Sequence, residues 1–456
     1  MNTMGAIIMA AGDGKRMKST QPKPMLEVLF RPMVDWVYDA VKAAGIGNVC
    51  VVCPPTEVLQ THFADRAKTV VQRERLGTGH AVMQAREFIS ALRGGDVVVL
   101  NGDIPLCTGQ AIRSAIEYHR ANGNDVTVIT AQVSNPTGYG RIVREETGFC
   151  RIVEHKDADE KTLAINEINS GAYVFSADAL LEALGRLENN NAANEYYLTD
   201  TISLIIQAGG RADAFDAQDE RVVLGANDPW QLVELNKIAN DLSLRAHAAN
   251  GVRFVSLDGI VIAPDAKVGP DTTILPGTII KGGCVIGSGC VIGPNTILDH
   301  SRVGNGSTVN ASQVFYSRIG DRVTIGPFTH IRPGCDIKDS VKVGDFVEVK
   351  NSVVGEKTSI AHLTYIGDSD VGSGVNFGCG VVTVNYDGKN KARTIIGDNA
   401  FVGCNSNLIA PVTVGDGAYV AAGTTVTDDV PPGDMAIGRA RQTNKKGYAQ
   451  GRFHKK

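Results

Sequence analysis

The chain has 456 residues, 43% of them hydrophobic and 21% charged, with a formal net charge of −4 at pH 7. This balance supplies enough apolar surface for at least two cores and excludes disorder and a general affinity for nucleic acid or other polyanions. The run from Gly5 to Ala11 lacks a basic flank, a cleavage site and the length of a membrane span. Neither signal nor anchor is expected, and a cytoplasmic location away from membranes follows.

Residues 1–229 alternate strand-like runs (Ala6–Ala10, Val49–Cys53, Val97–Leu100, Val126–Val133) with helical ones (Met33–Ala44, Thr78–Leu92, Gln110–Arg120). That order predicts an α/β domain, a Rossmann-like, mostly parallel sheet with helices on both faces. Nine cysteines at irregular spacing argue for reduced thiols. Cys50 and Cys53 form a C-x-x-C, but they lie in the strand-like run from Asn48 to Cys53, where a three-residue spacing sends them to opposite faces. Between residues 230 and 250, Leu232, Leu235, Ile238, Leu242 and Leu244 recur at helical spacing and Gly251 follows as a stop. This segment reads as a connecting helix.

From Ile262 an aliphatic residue returns at every sixth position: Val268, Ile274, Ile280, Ile286, Ile292 and Leu298 in one run, then Ile396, Val402, Leu408, Val414, Val420 and Val426 in another. A hexapeptide period predicts a left-handed parallel β-helix for residues 251–456, with three short faces per coil and roughly nine or ten coils at 18 residues each. Pairs such as Ile286-Gly287, Ile292-Gly293, Ile325-Gly326 and Val414-Gly415 are expected to place glycine at corners that need unusual backbone angles. The tail from Arg439 to Lys456 is basic and irregular, either a solvated end or a contact with a neighbouring subunit.

The first strand runs directly into Ala10-Ala11-Gly12-Asp13-Gly14-Lys15-Arg16-Met17. Small residues let backbone N–H groups approach phosphate oxygens, and Lys15 and Arg16 place positive charge beside them. The loop is neither G-x-G-x-x-G nor a G-K-[ST] P-loop. Pro22-Lys23-Pro24-Met25 adds a second cation able to fold back on the same phosphates. Asp103 stands at the C-terminal end of the strand Val97–Leu100, where ligands sit in open α/β sheets. A carboxylate there suits Mg²⁺, although a plain turn aspartate reads similarly.

These blocks resemble the sugar-1-phosphate nucleotidyltransferase family, whose opening pattern is A-A-G-x-G-(T)-R-M followed by P-K. Leu76-Gly77-Thr78-Gly79-His80-Ala81, Asn101-Gly102-Asp103, Gly138-Tyr139-Gly140-Arg141-Ile142, Val153-Glu154-His155-Lys156 and Glu167-Ile168-Asn169-Ser170-Gly171 extend the match. The resemblance implies a nucleotide site made by Ala10, Ala11, Gly12, Gly14, Arg16, Lys23, Gln72, Gly77 and Thr78, with the last three on uracil and Arg16 and Lys23 on the triphosphate. It further implies Mg²⁺ on Asp103 and Asn227, and a sugar site of Gly140, Glu154, Asn169 and Asn227. The implied reaction is attack of a sugar 1-phosphate on the α-phosphorus of UTP, which needs positioning and charge neutralisation but no general base. Lys15 stands where the family usually has Thr, and Pro24-Met25 where Val-Leu is commoner.

Prisms of hexapeptide repeats serve both as acyltransferases and as inert scaffolds. Ala361-His362-Leu363-Thr364-Tyr365-Ile366-Gly367 and a break in the period carry the distinction here. The count runs Val371, Phe377, Thr383 and then skips to Ile396, so one turn is expanded by Asn385-Tyr386-Asp387-Gly388-Lys389-Asn390-Lys391. Extra residues on a solenoid leave its core intact and often build a site.

Over essentially its whole length the chain resembles the family of bifunctional UDP-N-acetylglucosamine pyrophosphorylase and glucosamine-1-phosphate acetyltransferase enzymes. The resemblance implies His362 as general base on the sugar amine, Arg332 and Lys350 on the sugar phosphate, and Tyr365 and Asn376 completing that site. It implies an acetyl-CoA site of Cys379, through its backbone, with Asn385, Tyr386, Cys404, Ala422 and Arg439. Glu348, on the strand face of Lys350, is placed to orient a site residue. Cys379 and Cys404 stand where the family commonly has Ala and Ser, and direct transfer needs no thiol nucleophile.

Against these roles, a lone histidine such as His362 reads as a surface or hydrogen-bonded structural residue, a reading that the adjacent motif and the loop outweigh, while Arg332 and Lys350 read as solvated charges and Asn385 as a turn former. Two further readings stay open: a single-site nucleotidyltransferase whose β-helix only assembles or regulates, and a scaffold with degenerate sites. The family resemblance implies a homotrimer with acetyltransfer sites built from more than one subunit. It also implies the substrates glucosamine 1-phosphate, N-acetylglucosamine 1-phosphate, acetyl-CoA and UTP, and a product used for peptidoglycan and lipopolysaccharide precursors.

Overall fold

Runs of β-branched and aliphatic residues bounded by glycine and polar turns build the N-terminal sheet. The structure, a computed structural model, describes residues 3–12, 14–145, 148–191 and 194–450; Asp13 of the glycine-rich loop and the last six residues of the basic tail lie outside them. Internal packing divides the chain into two units, Met1–Ala239 and Asn240–Lys456.

In the first unit the strands of the main sheet are β1 (Met4–Met9), β2 (Asn48–Cys53), β3 (Lys68–Val71), β4 (Asp96–Asn101), β5 (Val126–Gln132), β6 (Arg141–Glu145), β7 (Gly148–Val153), β8 (Glu167–Ser176) and β9 (Ala212–Asp216). Their order is β9-β5-β8-β4-β1-β2-β3, with the β6–β7 hairpin joined through Arg141 opposite Ile168. Strand β1 is parallel to β2 and β4, while β8 runs antiparallel between β4 and β5. Side-chain alternation splits the core between two layers. Ala6, Ile8, Val51 and Cys53 pack with the helices Met33–Ala43 and Gly109–Asn122 on one face, and Ile7, Cys50, Val52 and Val99 face the other.

Cys50 and Cys53 therefore do lie on opposite faces. Burial pushes their thiols up to about 11 and about 12, so both are inert at neutral pH. The helix expected over Thr78–Leu92 is two shorter ones, Thr78–Met83 and Arg86–Ser90. Gln84 and Ala85 donate their N–H groups three residues back, to Ala81 and Val82, and this tighter turn breaks the axis between them.

The helix Pro229–Ala249 spans the division between the units. Its last turns close the first coil of the second unit: Asn240 Nδ2 donates to the Ile260 carbonyl at 2.8 Å, Ser243 Oγ to the Ile262 carbonyl at 2.9 Å, and Leu244 joins the core. Below it, strands of two to four residues stack in register into three parallel sheets of 11, 10 and 9 strands, the first, second and third faces of a parallel β-helix. One side chain per strand points inward, and the resulting column of Ile, Val and Leu is almost wholly buried.

The repeat persists between the two runs visible in the sequence. Val303, Val314, Ile319, Val354 and Val371 each follow the previous inward residue by five positions instead of six. Most of these short steps fall at the corner between the second and third faces, and the expanded loop after Thr383 leaves from that same corner.

The glycine expectation divides in two. Gly293 and Gly326 do adopt left-handed backbone, with φ of 108° and 100°. Gly287 and Gly415 do not, and are needed for close approach: a Cβ on Gly287 would lie 2.6 Å from Asn305 Oδ1 in the next coil, and one on Gly415 2.5 Å from the Pro432 nitrogen. The left-handed corners are shared between glycines, such as Gly277, Gly334 and Gly374, and other residues, among them Asp271, Phe328, Asn351, Asp368 and Asn405.

Candidate functional sites

In the first unit, loops leaving the C-terminal ends of β1, β3 and β4 surround a cavity of about 610 Å³. Ala11, Gly12, Gly14, Arg16, Lys23, Gln72, Gly77, Thr78, Asp103 and Asn227 line it, so nearly all the expected nucleotide and metal residues converge. Ala10 is the exception. It is fully buried and its N–H is spent on the Val52 carbonyl at 2.9 Å, so it supports the loop from beneath.

Local backbone explains the convergence. Gly14 has φ of 55°, and a Cβ there would lie 2.7 Å from Lys23 Cβ, so glycine lets the Lys23 segment close onto the loop. Lys15–Met17 then forms a single 3₁₀ turn that presents Arg16 to the cavity. At Gly77 a Cβ would lie 2.5 Å from the Tyr196 carbonyl; Thr78 Oγ1 accepts the Leu198 N–H at 3.0 Å. The segment around Tyr196 thereby holds this wall of the cavity. Gln72 is buried, its Nε2 donating to the Gly77 carbonyl at 3.1 Å.

A second cavity of about 340 Å³ is lined by Gly140, Glu154 and Asn169 and shares Arg16, Thr78, Asp103, Glu195 and Asn227 with the first. At Asn169 the register of β8 against β5 shifts before Ala172, and Gly171, at φ of 73°, sits where any Cβ would strike the Asn101 amide. The Asn169 amide is fixed at both ends: Nδ2 donates to Tyr173 Oη at 2.8 Å and Oδ1 accepts the Gly171 N–H at 3.1 Å. Burial, with Asp157 and Asp200 nearby, raises the Glu154 carboxyl above its ordinary value. Tyr139, from the Gly138–Ile142 block, also lines this cavity, as do Glu195 and Tyr197, which were not singled out by sequence because their neighbours in the chain carry no distinctive spacing.

The wall between the cavities holds the expected metal ligands. Lys23 Nζ forms an ion pair with Asp103 Oδ2 and donates to Asn227 Oδ1 at 2.9 Å, so one ammonium brings both oxygens together. A carboxylate and an amide oxygen at one point, completed by substrate phosphates and water, form a donor set that fits Mg²⁺. No cluster of three or more His, Cys, Asp or Glu able to hold a metal occurs among the described residues.

In the second unit the candidates gather on the second face of the prism. Arg332, Glu348, Lys350 and Tyr365 alternate with the buried Ile331, Val349 and Ile366, and so point outward. Arg332 Nη1 donates to Glu348 Oε1 at 2.8 Å, and Lys350 Nζ to Asp368 Oδ2 at 3.3 Å. His362 lies at the corner between the first and second faces, and its Nδ1 is 2.6 Å from Asp345 Oδ1. Asp345 stands directly opposite His362 on the preceding coil, and the hydrogen bond from His362 holds its carboxyl below the ordinary value. Asp345 was missed in sequence because it lies 17 residues upstream, an offset that means proximity only once coil lengths are known.

Cys379, Cys404 and Ala422 follow one another down the same corner. Asn405 donates its N–H to the Cys379 carbonyl, Gly423 to the Cys404 carbonyl, and Arg439 Nη1 to the Ala422 carbonyl, at 2.8, 2.8 and 2.6 Å. Asn385 and Tyr386 stand instead at the opposite edge of the second face, where the expanded loop is closed by a bridge between Tyr386 and Lys391. Asn376 is separated from both: it lies in register with Ser359 and Phe401 on the first face. The interruption of the period and His362 therefore flank one face from two sides.

Two family models match the chain: Nucleotidyl transferase over residues 5–231, and Bacterial transferase hexapeptide (six repeats) over residues 265–300, 316–351 and 393–428. The repeat model leaves out 352–392, the stretch bearing His362, Tyr365, Asn376 and the expanded loop. The chain is 49% identical to the Bifunctional protein GlmU of Acetivibrio thermocellus, covering 98% of this chain and 97% of that protein. It is 46% identical to the protein of the same name from Halalkalibacterium halodurans (98% and 99% covered) and 45% identical to that of Clostridium botulinum strain 657 (97% and 97%).

Proposed function

The chain belongs to the GlmU family of bifunctional proteins, and from that premise we propose how its residues carry two reactions. It is an enzyme that transfers acetyl from acetyl-CoA to glucosamine 1-phosphate, then uridylyl from UTP to N-acetylglucosamine 1-phosphate, releasing pyrophosphate. The observation that carries the first half is the His362–Asp345 pair, set beside an outer face that also bears Arg332 and Lys350. A single-site nucleotidyltransferase is not favoured by the family assignment.

On the prism, a carboxylate can only accept, so the 2.6 Å bond to Asp345 places the ring proton on His362 Nδ1 and leaves Nε2 as acceptor. Nε2 takes the proton of the sugar amine as its nitrogen bonds to the thioester carbon. The C–S bond then breaks, and the proton passes to the departing thiolate of coenzyme A. Arg332 and Lys350 hold the sugar phosphate with Tyr365 beside them, Asn376, which lies on the first face, completes the site from a neighbouring subunit of the proposed trimer, and the Cys379 backbone N–H faces the oxyanion. Asn385, Tyr386, Cys404, Ala422 and Arg439 hold acetyl-CoA.

In the first unit, Gln72, Gly77 and Thr78 contact uracil, Ala11, Gly12, Gly14, Arg16 and Lys23 hold the triphosphate, and Gly140, Glu154 and Asn169 hold the sugar. Asp103 and Asn227 are the residues that would bind Mg²⁺, which supplies positive charge to the reacting phosphates. Arg16 reaches both cavities, so it aligns the attacking phosphate with the α-phosphorus of UTP.

The assembly is a homotrimer. Three large apolar residues, Phe328, Phe346 and Leu363, are each 57–60% exposed at successive levels of the corner that carries His362, with Phe328 and Phe346 stacked at 5.4 Å, and a subunit contact would cover them. The enzyme acts in the cytoplasm on precursors of the bacterial cell envelope; no helix among the described residues is long and apolar enough to cross a membrane. Incubation with glucosamine 1-phosphate, acetyl-CoA, UTP and Mg²⁺ should yield UDP-N-acetylglucosamine by mass analysis. Product formed only when N-acetylglucosamine 1-phosphate is supplied would remove the acetyltransferase half.

A further inference from the structure

Asp368 occupies the corner between the second and third faces, 5% exposed and in left-handed backbone with φ of 47°. Three side chains converge on it. Asn351 Nδ2 donates to Oδ1 at 2.6 Å, Lys350 Nζ donates to Oδ2 at 3.3 Å, and Asn385 Nδ2 donates to the same Oδ2. Its backbone is engaged as well: the N–H donates to the Lys350 carbonyl at 2.9 Å, and the carbonyl accepts the Thr394 N–H at 3.2 Å. Asn385 opens the expanded loop and Thr394 begins the strand after it, so this one residue fastens both ends of the loop.

Burial opposes ionisation of Asp368, but hydrogen bonds from Asn351, Asn385 and Lys350, with the Lys350 charge, outweigh it and hold the carboxyl below its ordinary value. An ionised acid so close to a cation assigned to bind phosphate weakens that cation's field. Its presence calls for a compensating role, and its contacts supply one.

We propose that Asp368 is a positioning residue shared by the two subsites of acetyl transfer. Its carboxylate fixes the Lys350 ammonium for the sugar phosphate and the Asn385 amide at the root of the coenzyme loop, so both substrates are registered through one buried group. This rests on the acetyl-transfer reading above and adds the coupling between its two halves. Within one chain Asp368 lies across the second face from His362, and the role proposed for it is positioning.

The test is Asp368→Asn. Asparagine suits the corner, as Asn351 shows one coil earlier at φ of 46°, so the backbone is kept while the charge is lost. The Michaelis constants for glucosamine 1-phosphate and for acetyl-CoA should each rise about tenfold, the loss of one charge-assisted hydrogen bond apiece, with kcat changed by less than about threefold. A merely structural acid would lower thermal stability and leave both constants alone, and that result, or a rise in only one of them, overturns the proposal.

Should the variant fail to accumulate, Lys350→Met and Asn385→Ala decide the matter, because among the described residues both side chains bond the same Asp368 oxygen. Their combined effect on kcat/KM should fall short of the product of the single effects, and full multiplicativity overturns the proposal. Absence of acetyl transfer in the parent enzyme would instead overturn the functional reading, so the two failures are told apart.

Discussion

The two units place their chemistry in opposite ways. In the first, candidate residues face one another across cavities of about 610 and 340 Å³, and two cations and a carboxylate converge on the wall between them. In the second they stand on the outer face of a prism whose interior is filled with aliphatic side chains at every turn. An α/β sheet leaves a crevice where loops diverge at the C-terminal ends of its strands. A β-helix has no such crevice, so any site lies outside its core and a single chain supplies one wall of it. The first site is thus complete within one fold, while the second is an open face that the proposed trimer would enclose.

The comparison breaks most sharply under paired substitution. His362→Ala should lower acetyl transfer by about 10²- to 10⁴-fold and leave uridylyl transfer intact, the loss being that of a general base. Asp103→Ala should lower uridylyl transfer by about 10²- to 10³-fold, as for loss of a principal electrostatic group, and spare acetyl transfer. Separate initial-rate assays on each variant read both, and a loss of both activities in either one would show that the sites do not work independently.

A smaller effect sharpens the account of the open site. Asp345→Asn should cut acetyl-transfer kcat/KM by about tenfold or more, since an amide no longer selects the tautomer with Nε2 free. The sign of the pH dependence is set by Asp345 itself. Its folded carboxyl lies below the ordinary value, so the stabilising bond to His362 is present above the unfolded value and is lost only as pH falls through the lower, folded one. In His362→Ala that carboxyl should titrate higher, as read by carbon NMR, and an unmoved titration would contradict the pairing.

The smallest effect tests the enclosed site. Burial raises the Glu154 carboxyl, so its ionisation opposes folding above the ordinary carboxylate range. Glu154→Gln should therefore raise Tm by about 1 to 2 °C at pH 7, with the gain vanishing in acid below that range, while sugar-phosphate affinity in uridylyl transfer falls. A lower Tm at pH 7 would mean that Glu154 is stabilised by partners other than those described.

Much of this is legible in the sequence. The six-residue period announces the prism, and the alternation of strands and helices announces the sheet, because both depend on local side-chain direction. The middle of the prism was harder. From Val303 to Val371 some corners are one residue shorter, which scrambles a fixed count of six although the inward column is unbroken. The motif around Gly12 and Arg16 pointed to phosphate, but that Lys23 would hold both Asp103 and Asn227 depends on contacts spanning up to 204 residues.

By itself, then, the sequence determined the two architectures and most of the residues lining the first site, since those residues sit in short blocks whose chemistry is carried by neighbours in the chain. Tertiary structure alone decided that His362 is held by Asp345, that Lys350 and Asn385 share Asp368, and that Asn376 stands on a different face. In a β-helix, neighbours in space are one coil apart, and coil length varies with each corner. Which polar groups meet is therefore set by the stacking of coils, and no local pattern records it.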